Sequence, residues 1–316
     1  MLAVYQLPVP TPYAVGPVNV YLIKNDPVTL IDVGPGTAKA GEVLKDMLSS
    51  LGVGIKEVKR IIITHAHPDH CGLAADIAGD SNATVFIHRL EEKKLRGSHD
   101  YFKERLPFVL EAGIPAEVLT EMAGERAKLP PPGLRGAVNV EILADETLVF
   151  DGGELMVMHL PGHSPGHVCL YDPERKYFFS GDFLLPHITP NPVLEPDPEK
   201  PGKRLPTLKQ YLGGLDRVEA LDITMVCPGH GGVFSDYKGV IEAGRRHHRF
   251  QFDRIMEKLR GRELSTFQLS REIYPNLKGW EVFLGLSEVQ AHLDLLTEWG
   301  KTYCFKKQGV VYYTNP

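Results

Sequence analysis

The sequence predicts an α/β protein in two parts, a sheet-rich domain over residues 1–236 and a small helical module ending in a hairpin over residues 237–316. Three observations carry this reading. Apolar runs of strand length recur up to residue 227 and alternate with amphipathic helical stretches. Four of those runs stop at clusters of histidine, aspartate and glycine, so polar side chains gather where strands end. Beyond residue 236 the pattern changes to helix, helix, hairpin.

Taken in order, residues 18–32 read as two strands and residues 41–51 as an amphipathic helix. Residues 61–64 and 84–88 are strand-like and flank a short helix that starts near His70. Residues 90–128 are helical and charged, and Tyr101, Leu106, Phe108, Val109 and Leu110 add apolar groups that a sheet sandwich does not need. A cap over the active site is expected there. Strands resume over residues 138–227, interrupted by the helix-like stretch 208–221. Pro186, Pro190, Pro192, Pro196, Pro198, Pro201 and Pro206 exclude a regular helix after Asp182 and stiffen the loop. His187 and Asn191 are its expected substrate-facing groups.

Residues 236–260 predict a helix with Phe252, Ile255, Met256 and Leu259 on one face. Ser265-Thr266-Phe267-Gln268 and Ser287-Glu288-Val289-Gln290 both have the capping-box pattern, and each is expected to start a helix. The second of these helices places Val289, Leu293 and Leu296 on one side and stops at Gly300. Residues 301–305 and 310–313 then flank Lys306-Lys307-Gln308-Gly309 as a hairpin.

The chemistry is concentrated in Thr64-His65-Ala66-His67-Pro68-Asp69-His70, where a strand gives way to a loop. Imidazole nitrogen and carboxylate oxygen are the donors that borderline divalent metals prefer, so this cluster reads as a metal site. Three later segments can complete it: Pro161-Gly162-His163-Ser164-Pro165-Gly166-His167, Phe178-Phe179-Ser180-Gly181-Asp182 and Val226-Cys227-Pro228-Gly229-His230-Gly231-Gly232.

His-x-His-x-Asp-His, then Gly-His, Ser-Gly-Asp and Pro-Gly-His-Gly, in that order, resembles the metallo-β-lactamase superfamily over residues 15–235. The resemblance implies a four-layer αββα sandwich with the site on one edge. It implies that His65, His67 and His163 hold one metal, that Asp69, His70 and His230 hold a second, and that Asp182 bridges the two. Leu30-Ile31-Asp32-Val33-Gly34 matches the family's early strand, where Asp32 supports the metal loop from behind. His167 is expected to orient a neighbour rather than bind metal. The C-terminal order of elements resembles the winged-helix appendage of some members.

The rest of the composition sets the setting. No apolar run approaches the ~20 residues of a membrane helix, and the first residues do not resemble a signal peptide, so a cytoplasmic enzyme is expected. Cys71, Cys169, Cys227 and Cys304 are scattered without paired spacing and are expected to be buried reduced thiols, with no ligand role for Cys71. Residues 245–316 hold twelve Lys plus Arg against eight Asp plus Glu, hence +4, and the chain's −5 leaves −9 for residues 1–244. An acidic catalytic domain is a poor nucleic-acid groove. Arg245, Arg246, Arg249, Arg254, Lys258, Arg260 and Arg262 are read as the solvated face of a helix. Trp280, Phe283, Leu284 and Trp299 are read as apolar surface for an interface, on the catalytic domain or in a homo-oligomer.

The expected cofactor is two divalent transition-metal ions, zinc first, with iron and manganese tolerating the same donors. The expected reaction is attack of a metal-bridging hydroxide on an acyl substrate, thioester or ester, with Asp69 and Asp182 as catalytic carboxylates. Asp182 stands where β-lactam hydrolases of the family carry cysteine or serine. His67 replaces the glutamate of flavo-diiron enzymes. Phe183-Leu184-Leu185-Pro186-His187 lacks the Gly-Cys-Gly-Arg continuation of glyoxalase II enzymes. The alternatives are a metal-dependent endonuclease acting on RNA or DNA and a mononuclear iron persulfide dioxygenase.

Overall fold

The computed structural model describes residues 1–97, 101–126 and 138–316, leaving aside the side chains of residues 101, 102 and 126. Of the expected helical stretch 90–128, residues 98–100, 127 and 128 and the side chain of Tyr101 therefore lie outside the described residues. Two compact units divide the chain. The first comprises Met1–His99, Pro130–Pro190 and Arg217–Val240; the second comprises Asp100–Leu129, Asn191–Asp216 and Ile241–Pro316. The division at residue 236 follows chain order, whereas the units are discontinuous.

The first unit is built on two sheets. One has six strands in sequential order: β1 (Val4–Val9), β2 (Val18–Ile23), β3 (Thr29–Ile31), β4 (Arg60–Ile62), β5 (Thr84–His88) and β6 (Val140–Leu143). Its first three strands pair antiparallel and the rest parallel. The other has β7 (Thr147–Phe150), β8 (Gly153–His159), β9 (Val168–Asp172), β10 (Tyr177–Gly181) and β11 (Met225–Pro228), with only β10 and β11 parallel.

Successive side chains of a strand point to opposite faces, and in the central strands of the first sheet both faces are covered, so these strands are mostly apolar. Val18, Val20 and Leu22 of β2, Leu30 of β3 and Ile61 of β4 enter one core. That core is shared with Ala40, Leu44 and Leu48 of α1 (Ala38–Ser50) and Ala74, Ile77 and Ala78 of α3 (Ala74–Ser81). Tyr21, Ile23, Ile31 and Ile62 point the other way and pack with Leu155, Val157, Leu170 and Phe179 of the second sheet. Strands β2 and β3 are thus buried on both faces, whereas the edge strands β1 and β6 keep exposed residues. Two short helices, α2 (Pro68–Cys71) and α4 (Arg89–Leu95), follow β4 and β5.

Strand β1 has no counterpart in the sequence reading. Pro8 disguises it, but β1 lies at the sheet edge, where a missing N–H is tolerated.

The second unit holds α5 (Tyr101–Glu111), α6 (Ala116–Arg126), most of α7 (Thr207–Glu219) and nearly all of α8 (Tyr237–Leu259). It also holds β12 (Leu264–Ser265), α9 (Thr266–Ile273), α10 (Glu281–Glu298), β13 (Tyr303–Lys307) and β14 (Val310–Thr314). Ile255 and Leu259 of α8 pack with Leu269, Ile273, Val289, Leu293 and Leu296, with Phe252 and Met256 alongside, as the apolar face anticipated. The Ser265 capping box forms: its hydroxyl accepts from Gln268 N–H at 3.2 Å and its own N–H donates to Gln268 Oε1 at 2.9 Å.

The Ser287 box does not. Helix α10 starts at Glu281, and Ser287 is buried inside it. The reason is burial: Val282, Phe283 and Leu286 extend the apolar face upstream and pack on Phe108, Val109 and Met122. The same packing uses most of the expected interface surface against residues of the segment 1–236: Phe283 is buried, Trp280 and Leu284 lie against this cluster, and Trp299 is exposed. Two of the basic residues of α8 meet acids of their own unit, Arg245 with Asp216 at 2.6 Å and Arg249 with Glu242 at 2.7 Å. Among the described residues no helix is long and apolar enough to cross a membrane. Cys71, Cys169 and Cys227 are free and buried, whereas Cys304 is free but exposed.

Candidate metal centre

Every candidate ligand of the first unit sits just beyond a strand end or on the first turn after one. His65 and His67 follow β4. Pro68 opens α2, where its missing N–H costs nothing, and the turn carries Asp69 and His70 back over the sheet. His163 follows β8, Asp182 follows β10, and His230 follows β11. The last loop is held from the opposite sheet: Asn19, buried on β2, donates its amide to Pro228 O at 2.8 Å and Gly231 O at 2.7 Å. Tyr21 Oη adds a bond to Pro228 O at 2.8 Å.

The seven predicted ligands converge as two sets sharing Asp182. His67 Nδ1 lies 2.9 Å from His65 Nε2 and 3.0 Å from His163 Nε2. His230 Nε2 is 3.4 Å and His70 Nε2 4.0 Å from Asp69 Oδ2. Asp182 reaches both sets, with Oδ2 3.6 Å from His163 Nε2 and Oδ1 3.4 Å from His70 Nε2 and 3.7 Å from His230 Nε2. Donors on one tetrahedral ion are about 3.4 Å apart, so these spacings suit metal ligation.

Two glycines permit this approach. A Cβ on Gly229 would collide with Asp182 Oδ1, and one on Gly181, at φ +48°, would lie 2.8 Å from His167 Nε2.

Hydrogen bonds at the back of the rings fix which nitrogen faces the centre. His70 Nδ1 donates to Asp32 Oδ2 at 2.8 Å, and His230 Nδ1 to Pro17 O at 2.9 Å. Thr64 Oγ1 donates to Asp32 Oδ2 at 2.8 Å and is left to accept from His65 Nδ1 at 3.1 Å. Each arrangement leaves Nε2 as a bare lone pair aimed inward. Asp32 adopts φ +56°, an unusual backbone for a residue with a side chain, at the point where its carboxylate must serve both Thr64 and His70.

His167 Nε2 accepts the Asp182 backbone N–H at 3.1 Å. His70 Nε2, His230 Nε2 and Asp182 Oδ1 are buried without a hydrogen-bond partner. Inward-facing orphaned donors of this kind fit a cation at the centre.

The electrostatics agree. Burial works against charge on His70, yet Asp182, Asp32 and Asp69 outweigh it and hold its pKa well above the ordinary value. Burial would raise Asp182, but His70, His230 and His163 hold it below the usual carboxylate range. Burial and the neighbouring imidazoles push His65 and His167 down, leaving them neutral. The carboxylates thus call for positive charge at the centre.

His187 is exposed, with its ring next to Gly231 and hence beside the His230 loop. Asn191 belongs to the second unit, where its amide donates to Leu284 O at 3.0 Å and approaches Glu288 at 3.5 Å.

Sequence reasoning missed Glu91. Fully buried on α4, it accepts from Ala66 N–H at 3.1 Å and Gly166 N–H at 2.8 Å, and it bonds the Ser164 hydroxyl. One carboxylate therefore ties the His65–His67 loop to the His163 loop. Its signal is faint: Glu91 shares a helix face with Leu95, as i and i+4.

Residues 13–230 match the model of the family described as the metallo-beta-lactamase superfamily. The probable metallo-hydrolase YqjP of Bacillus subtilis is 31% identical over 298 residues, covering 91% of this chain and 90% of that protein. The acyl-coenzyme A thioesterase MBLAC2 of Homo sapiens is 25% identical, over 68% of this chain and 74% of its own length. The crystal structure of a metallo-beta-lactamase family protein from Thermus thermophilus superposes with a TM-score of 0.82 at 28% identity, covering 99% of this chain and 98% of that one. With its ligand loops in family order at the strand ends, the chain belongs to the metallo-β-lactamase superfamily and is a metal-dependent hydrolase.

Proposed function

We propose that this protein is a dinuclear hydrolase of acyl thioesters, with zinc the first candidate for both ions. The observation that carries the reading is Asp182, whose two oxygens face opposite ligand sets, 3.6 Å from His163 and 3.4 Å from His70. A carboxylate so placed would be shared by ions held in the two sets. Bound in this cage, two divalent cations would supply Lewis-acid chemistry, acidifying water near neutral pH and polarising the carbonyl under attack.

The chain's own residues do the rest. Asp32, Pro17 O and Thr64 hold three imidazoles with Nε2 inward, so no reorganisation is needed as charge develops. Asp69 turns Oδ2 toward His230 and His70, leaving Oδ1 to accept a proton from the attacking water. His187 and Asn191 are proposed to contact the substrate. The thioester class is favoured by the name of the human relative, an acyl-coenzyme A thioesterase, and by the absence of the residues that direct β-lactam and glutathione-thioester hydrolysis in related enzymes.

The test is a panel of acyl-CoA thioesters, simple esters and single-stranded RNA and DNA offered to the zinc-loaded protein. Chelator-sensitive release of free CoA, with two metal ions per chain, is the expected result. A single ion per chain overturns the dinuclear reading, and metal-dependent cleavage of RNA or DNA without thioester turnover overturns the substrate class.

A further inference from the structure

We infer that His167 and Cys169 form a side-chain clip that sets the aim of Asp182, so that both are positioning residues for the metal centre. The inference rests on the ligand assignment proposed above, in which Asp182 serves both ligand sets.

The clip begins where a backbone ladder ends. Strands β9 and β10 pair antiparallel from Asp172 opposite Tyr177 to Leu170 opposite Phe179. In the same register Cys169 would stand opposite Ser180, and His167 opposite Asp182. The backbone pairing has lapsed by then: the chain turns at Gly181, φ +48°, and Val168 N–H is taken by Thr64 O at 2.9 Å. His167 and Cys169, two residues apart on an extended chain, share one side of it and take over with their side chains.

Three contacts close a ring across Gly181. Asp182 N–H donates to His167 Nε2 at 3.1 Å. That nitrogen carries no proton, so the single proton of the neutral ring is on Nδ1, 3.9 Å from Cys169 Sγ. The thiol donates in turn to Ser180 O at 3.3 Å, an oxygen that Phe183 N–H also reaches at 2.9 Å. Burial pushes the Cys169 pKa well up, so the thiol keeps the proton it donates. Gly229 N–H holds Gly181 O at 2.7 Å, and the turn that presents the Asp182 carboxylate is then gripped at residues 180, 181 and 182. His167, Cys169 and Ser180 are all 0% exposed, so bulk water does not replace these bonds. Thiol bonds are weak; the imidazole therefore carries most of the effect, and the thiol fixes its tautomer and tilt.

The test compares zinc affinity, by competition with a chromophoric chelator, in the wild type, His167→Leu, His167→Gln, Cys169→Ala and Cys169→Ser, each shown to be folded by circular dichroism. Leucine keeps bulk beside the His65 ring, which lies 4.9 Å from that of His167, but offers no acceptor. Glutamine can place its carbonyl oxygen where Nε2 stood. The expected result is zinc binding about 10–100-fold weaker in His167→Leu, most of it recovered in His167→Gln. A smaller loss is expected in Cys169→Ala, reversed in Cys169→Ser, which keeps a donor and an acceptor. Every variant is read against the wild type, so a wild-type content of one ion counts against the dinuclear reading and leaves these ratios to decide the clip. Wild-type affinity in His167→Leu, or equal losses in His167→Leu and His167→Gln, overturns it. Cys169→Ala is the smallest change and remains informative if the His167 variants fail to fold; wild-type affinity there overturns the part assigned to the thiol.

Discussion

Replacing Glu91 with alanine should damage the metal centre without touching a ligand. The substitution removes bonds to Ala66 N–H and Gly166 N–H, at 3.1 and 2.8 Å, and to the Ser164 hydroxyl. Hydrogen bonds to a charged acceptor contribute about 1.5–3 kcal/mol each, and stranding a buried donor costs about 1–3 kcal/mol. Three such donors do not add in full, because Ser164 can rotate and the loops can shift, so a stability loss of about 3–5 kcal/mol is expected. The freed loops carry His65, His67 and His163, and losing partners that orient ligands typically weakens metal binding about 10–100-fold. Glu91→Gln separates charge from shape. Its one carbonyl oxygen can still accept, but its NH₂ must face a loop donor, so an intermediate loss is expected in both readouts. The assays are guanidinium unfolding of chelator-treated protein and zinc affinity by competition with a chromophoric chelator. Wild-type unfolding and wild-type zinc affinity in Glu91→Ala would refute the claim that this carboxylate holds the two loops together.

Asp182→Ala should lower zinc content and abolish hydrolysis, because its oxygens face both ligand sets; elemental analysis and a CoA-release assay check this. His187→Ala should keep the metal content and change turnover or acyl-chain preference, since the residue is exposed beside the His230 loop; loss of zinc in this variant would contradict the ligand assignment. Asn19→Ala should destabilise the His230 loop by about 1–3 kcal/mol through the loss of two bonds from a buried amide, read by guanidinium unfolding. His88, stacked 4.0 Å from His159, has its pKa lowered to about 4, first by burial and then by His159 and Arg89. The unfolded chain therefore binds a proton that the folded chain refuses, so stability is full above the ordinary histidine pKa and falls as pH drops from about 6.5 towards 4. His88→Asn keeps an acceptor for the Leu90 N–H that caps α4 and should flatten that acid limb in urea titrations at stepped pH.

What was legible in the sequence follows how each signal is stored. The ligands crowd into short segments, four of them within residues 65–70, and their chemistry survives translation into any fold that brings strand ends together. Their supports are stored differently. Glu91 lies in Arg89-Leu90-Glu91-Glu92-Lys93-Lys94, which reads as one solvated, salt-bridged turn of helix. Nothing in that string tells Glu91 from Glu92; the distinction arises only when α4 rests on the ligand loops and turns Glu91, Lys94 and Leu95 inward. Asn19 is hidden similarly, as the one polar residue in a six-residue apolar strand. Local chemistry marks the groups that bind, whereas tertiary packing selects the groups that hold them.

The same contrast explains the second unit. Phe108 and Val109 stood out in the sequence as apolar groups surplus to the sheets, which is correct as far as periodicity reaches. Periodicity gives a face but no address. Their partners are Val193 and Leu194 from the proline-rich loop and Val282, Phe283 and Leu286 from α10, segments about 80 to 180 residues away in the chain. That destination also explains the failure of the Ser287 capping box. A capping box contributes about 1 kcal/mol, whereas burying three large apolar side chains contributes about 1.5–3 kcal/mol each. A helix started at Ser287 would forgo the burial of Val282, Phe283 and Leu286, so the helix begins upstream and the serine is carried into its interior.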